Sequence, residues 1–138
     1  MDDDEMLVAL LAHLGAQDVG EWRPAGPAYQ VTETGLYYGQ IGSQTERGVA
    51  LARYNRSDFV PADHYAVKTR RVQARIRGLK NNPADADRLA EAVDDEMQGL
   101  RAVAGINYVV RLNGPNPLGT DGNGRSELSL NYSVTLED

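Results

Sequence analysis

Residues 70–78 read RRVQARIRG, and their period decides how the rest of the chain is read. Val72, Ala74 and Ile76 alternate with Arg71, Gln73, Arg75 and Arg77. A period of two is that of a half-buried strand, with one face apolar and the other carrying arginines at successive outward positions. Three like charges in register, with Arg70 beside them, repel one another unless carboxylates or other anions lie close by. The expected neighbours are acidic groups on an adjacent element or on another copy of the chain.

Outward from this strand, composition narrows the choices. The chain has 138 residues, 41% of them hydrophobic, and a formal charge of −6. That length suits one domain with one core, residues 1–138. The acidic balance argues against a general polyanion binder, which needs a concentrated positive face. The chain has no cysteine, which excludes disulfides, thiolate metal sites and cysteine nucleophiles. MDDDEM at the start has the wrong charge for a secretory signal, and the apolar run after it is too short to span a membrane. A protein made and assembled in the cytosol is expected.

Two helices are predicted. Over 2–14, Leu7, Leu10, Leu11 and Leu14 form one buried stripe, while Asp2, Asp3, Asp4 and Glu5 suit the positive end of the helix dipole. His13 falls in the last turn, where it complements the opposite end. Over 83–100, Asn82 is the expected cap, Pro83 suits the first turn, and Asp85 stands three residues after the cap. Ala86, Leu89, Ala90, Val93, Met97 and Leu100 form the buried stripe of this helix, with the acidic residues largely on its wet side.

The remaining segments read as strands and connections. Segments 35–41 and 48–54, separated by GSQTER, suggest a hairpin. Residues 55–69 read as a polar connection containing Phe59, Pro61, Asp63 and His64; no second ligand at metal spacing accompanies His64. Ile106, Tyr108, Val110 and Leu112 alternate with Asn107, Val109 and Arg111, and Leu128 to Leu136 alternates cleanly. Between them NGPNPLGTDGNGR, residues 113–125, is dense in glycine and proline and reads as a loop longer than a hairpin requires. Its Asp121 and Asn123 suggest a calcium loop only faintly, because Arg125 and Tyr132 occupy the next ligand positions. It also lacks the lysine of a phosphate-binding loop. The order of elements predicts an α+β domain: a mostly antiparallel or mixed sheet with two helices packed on one face. No nucleophile, base and orienting group stand together in the pattern, so no catalytic residue, cofactor or metal is assigned.

LLAHLG closing the first helix, RRVQARIRG followed by a polar turn and DADRLAEAVDDEMQGL, and NPLGTDGNGRSELSLNYSV together resemble the tail terminator proteins of long-tailed bacteriophages, also called tail completion or minor capsid proteins. The resemblance spans nearly the whole chain except 35–69. It implies a structural virion protein rather than an enzyme. Such a protein forms a ring, typically of six copies, that caps the finished tail tube and joins it to the neck of the head. The implied partners are further copies of the chain, the tail tube protein and a head–tail connector, with DNA only passing through the lumen and no membrane. Arg71, Arg75 and Arg77 are the candidates for a subunit interface or the lumen wall. Asn116, Pro117, Leu118, Asp121 and Arg125 are the candidates for a docking loop. The alternative in the same particle is a head–tail connector or stopper; a small nucleic-acid-binding module and an enzyme are the competing classes.

Overall fold

The computed structural model describes residues 1–59 and 67–137. Asp63, His64 and Pro61 lie outside the described residues. The elements run α1 (Asp3–Ala16), β1 (Thr34–Tyr38), β2 (Arg47–Phe59), β3 (Val67–Lys80), α2 (Pro83–Met97), β4 (Arg101–Val103), β5 (Ile106–Thr120) and β6 (Arg125–Leu136). The strands form one mixed sheet in the order β1-β2-β3-β6-β5-β4. This is the α+β domain expected.

The stretch 70–78 is the middle of a central strand, paired antiparallel with β2 on one side and β6 on the other. Val72, Ala74 and Ile76 are fully buried. They join Val49 and Leu51 of β2, Leu130, Tyr132 and Val134 of β6, and the apolar stripes of both helices in one continuous cluster. Gly78 ends the stretch because a Cβ there would stand 2.6 Å from the Ala86 backbone nitrogen, so the first turn of α2 packs directly onto β3.

The helix ends differ in how they are held. Asp2 and Glu5 form a reciprocal capping box on α1, each side chain accepting the other's backbone N–H. Asn82 makes no side-chain cap on α2, contrary to expectation. Asp85 instead turns inward: its Oδ2 accepts from Leu79 N (2.8 Å) and Arg47 Nε (2.9 Å), tying the helix start to β2 and β3.

Three sequence expectations are corrected. The segments around 35–41 and 48–54 are not a hairpin, because β1 pairs with β2 in parallel, Thr34 facing Arg47. Residues 39–46 carry the chain back to the start of β1, and at about 3.3 Å per residue these eight residues span the length of the five-residue strand with room to fold. The described residues of the supposed connection 55–69 are strand: β2 continues to Phe59, β3 begins at Val67, and the pairing shifts register by a bulge between Arg53 and Asn55. The glycine- and proline-rich segment 113–125 is also mostly strand. β5 runs to Thr120 and pairs with β6 through four register shifts. Gly114 stands at one of these, with φ of 108° and a Cβ position 2.6 Å from the Ser129 carbonyl, so only glycine fits.

Candidate functional site

Alternation along a strand puts Arg71, Gln73, Arg75 and Arg77 on the side of the sheet away from the apolar cluster. The arginine row expected there is broken in two ways. Arg70 turns to the core side and donates from Nε to Asp3 Oδ1 (2.6 Å), and Arg53 reaches the other Asp3 oxygen (2.8 Å). One carboxylate in the first turn of α1 thereby bridges two arginines.

Arg77, at the other end, is not an outward side chain. It is buried, and its guanidinium donates to the carbonyls of Glu46 (3.0 Å), Gly42 (2.8 Å) and Thr45 (2.6 Å). These carbonyls belong to the short return from β1 to β2. In that return the Thr45 hydroxyl donates to Arg47 O and receives the Tyr37 hydroxyl, both at 2.7 Å. Burial pulls the Arg77 pKa below the ordinary arginine value, with the nearby charge of Arg125 adding to the effect. Arg77 is therefore a strut for the parallel crossover, which explains how so short a connection holds its shape.

Arg71 and Arg75 remain on the outer face, Arg71 half-buried and Arg75 exposed. Arg75 Nε stands 3.5 Å from Glu127 Oε1 of β6, a partly solvated pair that contributes little to folding. Beside it lies a depression of about 340 Å³ lined by Ala50, Ala52, Gln73, Arg75, Arg77, Glu127 and the crossover residues Gly39, Gln40 and Ile41.

Next to this basic strip runs an apolar one on β5. The alternation read along 106–112 groups Tyr108, Val110 and Leu112 with Ile106 on one face. A register shift between Ile106 and Tyr108 reverses the phase, so Val109 joins Ile106 in the core. Tyr108, Val110 and Leu112 are left 37%, 40% and 45% exposed. The signal was an apolar Val109 among the supposedly polar positions. Across β6, Ser133, paired with Val110, and Asn131, Ser129 and Glu127 complete the outer face.

The candidate docking loop is an ordered hairpin. Asn116 pairs with Ser129 and Pro117 with Leu128, so Asn116, Pro117 and Leu118 lie on β5, with Leu118 exposed. Asp121 organises the turn: its carboxylate accepts from the backbone of Asn123 and Arg125 (2.9 Å each) and from Arg125 Nε (2.8 Å). Partial burial opposes ionisation of Asp121, but these hydrogen bonds outweigh it and hold its carboxyl below the usual range. Asn81 N donates to Gly124 O (2.8 Å), fastening the turn to the β3–α2 junction.

Other polar pairs are struts between elements. The buried Tyr132 hydroxyl donates to Asp94 Oδ1 (2.8 Å), and Arg111 donates to Asp94 Oδ2 (2.7 Å), joining α2 to β5 and β6. Burial, reinforced by the Asp94 carboxylate, pushes the Tyr132 phenol well above its ordinary value. Among the described residues, no group of three or more histidine or acidic side chains is placed to hold a metal, and no helix is long and apolar enough to cross a membrane.

The described residues thus form one mixed sheet with two helices, an outer face carrying a basic and an apolar strip, and polar pairs that join the elements. Residues 13–138 match the family described as bacteriophage tail terminator protein, and the chain belongs to that family. Its fold is also that of a chain in the virion of the native gene transfer agent particle, with a TM-score of 0.62 at 15% identity, covering 75% of this chain and 78% of that one. No curated protein matches the sequence. The protein is thus a structural component of a phage tail.

Proposed function

We propose that copies of this chain close into a ring, six in number, that caps the completed tail tube and presents it to the neck of the head. The observation that carries this reading is the outer face of the sheet. There a monomer leaves Arg75, Tyr108, Val110 and Leu112 exposed, with Arg71 half-buried beside them. Both helices feed the same apolar cluster, which supports a shared position on one side of the sheet and leaves the other side for neighbours. A closed ring needs heterologous contacts, one surface of each copy against a different surface of the next. A basic and apolar face on a chain of charge −6 suits that pairing.

The hairpin end is the proposed docking element for the tail tube or a connector protein. Leu118 projects there from a strand pinned by β6, so a partner would meet a preformed surface. Leu118→Asp should leave the free subunit folded and reduce the joining of tails to heads.

A second reading puts Arg71 and Arg75 on the lumen wall, where weak, sequence-independent attraction would act on passing DNA. The half-solvated state of Arg75 supports it. Light scattering on the protein, alone and with tail tube protein, tests the ring: a mass of several copies is expected, and a strict monomer in both conditions contradicts it.

A further inference from the structure

The two helices differ on the sides they turn away from the core. On α2, Asp87, Arg88, Glu91 and Asp95 are exposed, a charged and solvated face. On α1 the exposed line is Glu5, Val8, Ala12 and Ala16, and only its first turn is charged. Val8 is 38% exposed with no charged residue beside it on that line after Glu5. A helix that is apolar on nearly all sides belongs in an interior, and in the free subunit α1 is only partly in one.

We propose that this face of α1 in one copy seats on the outer sheet face of the next, so that the ring is closed by a helix-on-sheet contact. The inference rests on the ring reading above and names the two surfaces that meet. Charge and spacing both fit. Asp4 and Glu5 carry the negative end, and Arg71 and Arg75 the positive strip on β3. From Glu5 to Ala12 the rise along a helix is about 10.5 Å. From β3 across β6 to β5 is two strand spacings, about 9.6 Å. A helix laid across the strands therefore sets Glu5 over the arginines while Ala12 lies over Val110. Val8 then lies over the Asn131 and Ser133 strip of β6, and the small side chain of Ala12 permits close approach.

The sheet edges favour a contact through the face. On β1, Glu21 covers the outer edge, donating from its N–H to Thr34 O (2.8 Å) and accepting from Leu36 N–H (3.0 Å). On β5, β4 pairs only as far as Tyr108, the backbone of Gly99 and Leu100 bonds Val109, and the Gln98 side chain accepts from the Arg111 N–H. Further along, Pro115 and Pro117 lack the N–H that an added strand would need.

The absence of cysteine makes the test direct. In the full chain carrying Ala12→Cys and Val110→Cys, a short bis-maleimide added to protein assembled with tail tubes should give a ladder of covalent multimers. Each single-cysteine chain should stay at the monomer band. Val8→Cys with Leu112→Cys is the second pair, and Glu91→Cys with Val110→Cys is the control, expected to give at least tenfold less ladder. Rings in the microscope without a ladder from either pair would overturn the helix-on-sheet contact and leave the ring standing. An equal ladder from the Glu91 control would overturn it as unspecific. A monomer in the presence of tail tubes would overturn the ring reading and this contact with it.

Discussion

Replacing Arg77 separates the two roles that the arginines of β3 divide between them. Arg77→Met keeps much of the aliphatic stem but removes the guanidinium that holds three crossover carbonyls. The bond to Thr45 O is buried, and leaving that acceptor unpaired costs about 1–3 kcal/mol. The carbonyls of Gly42 and Glu46 are part-buried and regain water, so each loses about 0.5–1.5 kcal/mol of net hydrogen bonding. The sum is a destabilisation of about 2–6 kcal/mol, large against the roughly 5–15 kcal/mol that holds a domain together. Arg77→Lys keeps a charge but not the fork, and should lose about half as much. Urea unfolding of the isolated subunit gives the number as a shift in midpoint at unchanged slope. A loss below about 0.5 kcal/mol for Arg77→Met would refute the strut and return Arg77 to the solvated row.

Arg75→Glu should change the free subunit by less than about 1 kcal/mol, since its ion pair is half-solvated, yet weaken assembly by about 2–5 kcal/mol where the face is buried; sedimentation across a concentration series reads both states. Gly114→Ala should cost about 2–4 kcal/mol in thermal unfolding, combining positive-φ strain with the clash against the Ser129 carbonyl. Asp121 has a folded pKa below its unfolded value, so its contribution is complete above about pH 4 and is lost as pH falls through the folded pKa. Unfolding followed from pH 6 to pH 2 should therefore show a smaller acid loss in Asp121→Asn than in the parent chain.

The core of the fold was legible where a simple period ran unbroken. Val72, Ala74 and Ile76, the stripe of α2 from Ala86 to Met97 and the strand from Leu128 to Leu136 landed as read, because one buried face imposes one period, while Leu100 lies beyond the end of α2 and is only partly buried. Where a bulge resets the phase, period two fails: a single shift near Asn107 moved Tyr108, Val110 and Leu112 to the outside. Glycine and proline in 113–125 were taken for loop signals, yet they serve register shifts on a strand whose far edge is paired by β4 only as far as Tyr108. The parallel pairing of β1 and β2 was hidden because it depends on long-range carbonyl contacts of Arg77, which no local pattern announces. The same applies to the candidate site. Its arginines were visible, but the burial of Arg77 is set by the crossover that lies over it.

The measurement closest to the central claim is a reconstruction by electron microscopy of purified tail tubes mixed with this protein. A closed ring is expected at one end of the tube, with Tyr108, Val110 and Leu112 of each copy covered by its neighbour. Bare tube ends, or a ring in which those three side chains and Arg75 face an open lumen, would contradict it.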